Sequence, residues 1–224
     1  MAYFTGPNII TDGLVFAVDA GSDRSYPGSG TTTTNIINSA SGTLTNGVAY
    51  VTNNGGAFDF DGTDDFIVFP DDTNLDNQTL TMEGWVSMDS TLNQDGFFFE
   101  KGSVNTQYST FMNATNIIFR TQNLSTVDLA QSISSYTSVG AWFHYACTYD
   151  GGSKRIYINA TQVASLSGLT GTIPVNTSGL YLGAYGPGID YHLNGKIAVT
   201  RVYNKALTAA EVVQNYNAQK SRFA

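Results

Sequence analysis

The chain has 224 residues, of which 42% are hydrophobic and 12% aromatic. That is enough for one sizeable core, and all-β domains commonly run to roughly 200–250 residues without dividing. Only 12% of residues are charged, about half the usual share of roughly 25%, so Thr, Ser, Asn, Gln and Gly must coat the surface. The net charge of −8 and a pI near 4.4 speak against nucleic acid and anionic membrane as partners. Cys147 is the one cysteine, which excludes a disulfide framework and a thiolate zinc site and reads as a small buried hydrophobe. No stretch reaches the roughly 18 apolar residues of a membrane span, and no secretory leader is read at the N-terminus.

In chain order, Leu14 to Val18 reads as a first short strand. A polar excursion follows over 19–35, with Pro27 and four consecutive threonines, Thr31 to Thr34. Ala57 to Phe60 and Phe66 to Phe69 are aromatic strands around the turn Asp61-Gly-Thr-Asp-Asp65. Leu80, Met82, Gly84, Val86 and Met88 alternate with Thr81, Glu83, Trp85 and Ser87, the period of two that gives a strand distinct faces. Phe97 to Glu100, Tyr108 to Asn113 and Ile117 to Thr121 continue the series.

The most informative stretch is Trp142 to Ala164. Phe143, Tyr145, Cys147 and Tyr149 alternate with Trp142, His144, Ala146 and Thr148. Asp150-Gly-Gly-Ser-Lys154 then supplies turn residues, and Arg155 to Ile158 restart a β-branched and aromatic run, the signature of a hairpin. Leu180 to Gly183 and Lys196 to Tyr203 complete the strands. Near-regular strand spacing predicts an all-β sandwich or barrel. One short helix is predicted over about 208–220, because Thr208 and Glu211 have capping-box spacing. Its apolar face is read as Val212, Val213 and Tyr216, and it is expected to lie across a sheet edge or end.

Together these pieces resemble a known group. Gly62-Thr-Asp-Asp65 after an aromatic strand, Met82-Glu-Gly-Trp-Val86, the Trp142 hairpin and the stretch from Leu193-Asn-Gly-Lys196 through Tyr203 to Glu211 follow in that order. This is similar to the concanavalin A-like lectin/glucanase superfamily in its laminin-G-like branch, over nearly the whole chain. The resemblance implies a single domain over 1–224, a jelly-roll sandwich of two antiparallel curved sheets with one short C-terminal helix. Residues 12–30 and 214–223 further resemble stand-alone members among structural proteins of tailed marine phages. That implies a virion protein, a capsid decoration or tail-associated attachment protein on the particle surface. Its partners would then be other virion proteins and a host glycan, in a homo-oligomeric or multi-copy assembly. The chain departs from the family at Asn35-Ile-Ile-Asn-Ser-Ala-Ser-Gly42, so no family ligand contact is carried over there.

Catalysis is not expected. Glycosidases need two carboxylates about 5–9.5 Å apart, and the laminarinase-like members of the superfamily hold theirs as Glu-x-Asp-x-x-Glu on one strand. Here Glu83, Glu100 and Glu211 are the only glutamates, none stands in that pattern, and Glu211 is committed to a helix cap. Glu83 shares a strand face with Trp85, leaving it the least implausible catalytic carboxylate. His144, read as a strand residue, and His192 lack a nucleophile elbow and zinc-ligand spacing. Asp59, Asp61, Asp64 and Asp65 are candidate Ca²⁺ ligands, because dense carboxylates repel without a hard counter-ion. The same residues also suit a turn in which Asp side chains cap backbone amides; both readings stay open. Trp85, Tyr185, Asp190 and Tyr191 are the candidate glycan residues, rings for stacking and a carboxylate for hydroxyls. Pro and Gly make 183–192 a loop, the kind of segment that carries function on a rigid scaffold.

Overall fold

A computed structural model describes residues 7–89, 96–102, 107–186 and 190–224. Its strands, in chain order, begin with β1 Leu14–Asp19, β2 Thr32–Thr34, β3 Ser41–Thr45, β4 Ala49–Val51, β5 Ala57–Asp61 and β6 Phe66–Phe69. Next come β7 Leu80–Met88, β8 Gly96–Lys101, β9 Tyr108–Asn113, β10 Asn116–Thr121 and β11 Asp128–Ser132. The last are β12 Trp142–Tyr149, β13 Ser153–Ile158, β14 Thr161–Ser167, β15 Leu180–Leu182 and β16 Asn194–Tyr203, before the helix α1 Ala209–Gln219.

They form two antiparallel sheets. The first runs β14-β13-β12-β7-β16-β5-β4, and the second β11-β10-β9-β8-β15-β6-β3-β2. β16 anchors the first sheet: residues 194–197 pair with β5, whereas Val199 to Tyr203 pair with β1 on the same edge. A bulge between Ile197 and Val199 marks the change. The expected jelly-roll sandwich is the one observed.

Five strands lie outside the sequence reading: β2 inside the supposed polar excursion, then β3, β4, β11 and β14. β2 is the threonine run; Thr33 is buried and donates to the Ser25 carbonyl at 3.0 Å. β14 follows β13 after Asn159 and Ala160, whose φ angles of 48° and 66° suit a tight two-residue hairpin turn. Asn35, at the start of the divergent segment, is buried, and its side-chain oxygen accepts from the amides of Ala17 and Ile37. That departure from the family therefore has a structural role of its own.

The main core lies between the sheets. Phe143, Tyr145, Cys147 and Tyr149 of β12 meet Phe98, Phe99 and Met112 of the second sheet there. Burial pushes the Cys147 thiol up to about 12, as fits an inert core residue.

The alternate face of β7 and β12 is buried as well, because α1 lies across the face of the first sheet, not at its edge. Thr208 and Glu211 form the expected capping box. Val213 is 40% exposed, and the fully buried residues of α1 are Val212 and Asn215.

Asn215 enters a buried polar cluster centred on Glu83. Its Nδ2 donates to Glu83 Oε1 and Oε2 at 3.0 and 3.1 Å, and to Tyr203 Oη at 2.9 Å. Arg201 Nη1 donates to Glu83 Oε1 at 2.9 Å, and His144 Nε2 lies 3.5 Å from Oε2. Burial alone would raise the Glu83 pKa, but His144, Arg201 and Asn215 outweigh it and hold it at about 2.

Glu83→Gln leaves Arg201 without its buried counter-charge and should cost about 3 kcal/mol in urea unfolding near neutral pH. Glu83 titrates at about 2 when folded, against an ordinary 4.5. The stability it confers is therefore full above pH 4.5 and lost towards pH 2, so the deficit of Glu83→Gln relative to the parent should shrink across that window.

Candidate functional site

Outside the core, the second sheet carries an aromatic cluster. The run Phe97-Phe-Phe99 has a bulge in its pairing with β9, so Phe98 and Phe99 enter the core while Phe97 stacks on Phe111 of β9 at 4.5 Å on the other face. Arg120 of β10 lies over the Phe111 ring at 4.8 Å and forms a bidentate pair with Asp128 of β11, both contacts at 2.8 Å.

The loop after β15 comes down on this cluster. Gly183 makes its exit possible, since at φ +86° a Cβ there would sit 2.4 Å from the Phe60 ring. Tyr185 and Asp190 form an isolated antiparallel bridge, with Tyr185 N donating to Asp190 O at 3.2 Å. Tyr185 lies 5.0 Å from Phe97, and Tyr191 5.7 Å from Tyr185, between ring centroids. Tyr191 is 40% exposed at a φ of 56°. Residues 187–189 of the expected loop lie outside the described residues.

Three of the four candidate glycan residues, Tyr185, Asp190 and Tyr191, are thus brought together. Trp85 is not with them, and here the structure corrects the sequence reading. It sits on the first sheet, 3% exposed, stacked under Phe223 at 4.3 Å and Tyr216 at 5.5 Å. Trp142 joins it from β12, 5.0 Å from Phe223. The face shared by Trp85 and Glu83 is a second core beneath the C-terminal segment.

Beneath the tyrosine loop lies Glu100 of β8, 3% exposed, with Oε2 accepting from Gly186 N at 3.4 Å. Burial raises its pKa to about 8, against the opposing pull of that amide and of Arg120. Phe97, Glu100, Phe111 and Arg120 were missed by sequence reasoning. A triple-Phe run has no alternation to show which ring turns outward, and the Glu100–Gly186 contact spans 86 positions.

The acidic turn is resolved residue by residue. Asp61, Asp64 and Asp65 bring carboxylate oxygens within 4.8 Å of one another. Asp59 is outside the group, because Lys196, its cross-strand neighbour, takes its carboxylate at 3.4 Å. Turn chemistry is present too: Asp61 Oδ1 accepts from Thr63 N at 2.7 Å and Asp65 Oδ2 from Asp61 N at 3.1 Å. Each of those two carboxylates keeps a second oxygen. Asp65 is buried, and burial, then the charges of Asp61 and Asp64, raise its pKa; a divalent cation would relieve that repulsion.

A laminin-G-type family model of the concanavalin A-like lectin/glucanases superfamily matches residues 61–213. The chain belongs to this superfamily. No curated protein matches it significantly. Among solved structures it is similar to the receptor-binding domain of botulinum neurotoxin C/D mosaic serotype, with a TM-score of 0.74 and 14% identity over 94% of this chain and 52% of that one. It is also similar to botulinum neurotoxin type C, described as entering cells through interaction with two ganglioside molecules (TM-score 0.72, 15% identity, 92% and 51% coverage). A third is Trypanosoma rangeli sialidase in complex with sialic acid (0.73, 14%, 97% and 35%). The chain spans about half the length of the toxin domains and about a third of the sialidase. At these identities the likeness shows the superfamily fold alone.

Glu100→Gln tests the buried acid. Its pKa of about 8 stands above the ordinary 4.5, so keeping it protonated costs stability progressively as pH rises from 4.5 to 8. The variant should match the parent in chemical denaturation near pH 4.5 and exceed it increasingly towards pH 8.

Proposed function

We propose that this chain is a non-enzymatic attachment module that binds a surface glycan through the loop bearing Tyr185, Asp190 and Tyr191. The observation that supports this most is the exposed Tyr191 ring, braced by Tyr185 and Phe97 on a rigid sheet. A braced aromatic face suits a sugar's apolar C–H face, and Asp190, the residue before Tyr191, brings a carboxylate to the same loop for its hydroxyls. The toxin and sialidase neighbours, described with gangliosides and sialic acid, make sialylated glycans the first ligands to try. The resemblance of residues 12–30 and 214–223 to phage structural proteins supports a place on a virion surface, in a multi-copy assembly with other virion chains.

Non-enzymatic action is supported by the fates of the glutamates. Glu83 is locked in a buried ion cluster, Glu211 caps α1, and Glu100 lies buried under the tyrosine loop. We further propose Ca²⁺ at Asp61, Asp64 and Asp65, where it would bind carboxylates and steady the turn between β5 and β6.

On a sialylated glycan array the parent chain should give signal and Tyr191→Ala should bind about tenfold more weakly or not at all. Equal binding by both would overturn the assigned loop, and no binding by the parent would overturn the glycan reading. The thermal midpoint should rise in millimolar Ca²⁺ by mass action, and Asp61→Asn should abolish the rise; a flat response of the parent removes the metal. Mass spectrometry of purified particles should find the chain if the virion placement holds.

A further inference from the structure

A cleft of about 610 Å³ lies away from the tyrosine loop, on the covered face of the first sheet. It runs between the C-terminal end of α1, at Ala218 and Gln219, and β1. Ile9, Leu14, Ile36 and Ile37 give it apolar walls. Two cations line it, Arg201 from β16 and Arg24.

Arg201 is the informative residue. Its side chain is 5% exposed, and one of its N–H groups is given to Glu83 through Nη1. A guanidinium carries five donors. The remaining ones have no hydrogen-bond partner among the described residues, yet none is sealed from solvent. Arg201 is also a lining residue of this cleft. A buried, positioned guanidinium with donors to spare is built to take a planar oxyanion in bidentate fashion. Arg24 is exposed at the same cleft and has no ion pair among the described residues. Glu83 lies behind Arg201 and does not line the cleft; the one acid that does, Asp19, is paired with Arg222 at 2.7 Å.

We propose that this cleft binds a small organic carboxylate with an apolar body, its carboxylate on Arg201 with Arg24 alongside and its hydrocarbon against Leu14, Ile36 and Ile37. A cleft of this volume is in the range of small-molecule sites, roughly 300–1,000 Å³. The apolar walls disfavour a free sugar, whose hydroxyls would be left unpaired there. This site is separate from the glycan loop and does not depend on it.

The probes are hexanoate and phenylacetate, with hexanol and phenylethanol as uncharged counterparts, titrated into the full chain by NMR and calorimetry. The acids should bind and shift the amide signals of Leu14, Ile36 and Ile37 while leaving Tyr185 and Tyr191 unmoved; the alcohols should bind at least about tenfold more weakly, since a hydrogen bond to a charged group is lost. Arg24→Gln, at an exposed position that leaves the Glu83 cluster intact, should weaken the acids several-fold without changing the thermal midpoint. Arg201→Lys keeps the charge for Glu83 but loses the bidentate fork, and should abolish acid binding. Equal binding of acid and alcohol, shifts confined to the tyrosine loop, or no binding of either acid would each overturn the proposal.

Discussion

The buried carboxylate of Glu83 decides how the two ends of this fold are held. It stands on a strand whose every residue is buried, where an ionised group survives only if partners replace its water. Those partners come from three different elements: Arg201 and Tyr203 from β16, His144 from β12 and Asn215 from α1. An apolar helix face could slide over a sheet; this one has a single position in which the acid is satisfied. The cluster therefore fixes where α1 lies, and with it the walls of the cleft beside Arg201.

The same placement gives the two sheets different outer faces. The face of the first sheet is covered by α1 and the C-terminal residues, which bury Trp85, Val199 and Ala198 as a secondary core. On the second sheet, Phe97, Phe111 and the tyrosine loop gather instead, and they end in an exposed ring. The proposed glycan contact depends on this division, because a sugar needs a braced but uncovered aromatic surface.

Much of the fold was legible because period-two alternation is local. β7, β12 and β16 announce themselves, and so does the capping box of α1. The threonine run and the short β3, β4, β11 and β14 did not: Thr, Ser and Gly build turns and edge strands alike, and only pairing with distant partners decides between them. The candidate site was legible in part. Tyr185, Asp190 and Tyr191 stood out in a Gly/Pro loop, but an alternation that put Trp85 on a distinct face could not reveal that Phe223, 138 positions later, would cover it. Likewise Asp59 looked equivalent to Asp61 until the register of β5 against β16 set Lys196 beside it.

The cover over that face also has an optical consequence. Both tryptophans of the chain, Trp85 and Trp142, lie against Phe223, whereas the proposed ligand loop is lit only by tyrosine. Indole emission thus watches the docking of the C-terminal segment and stays blind to the opposite sheet, giving the molecule a built-in gauge of whether its lid is seated.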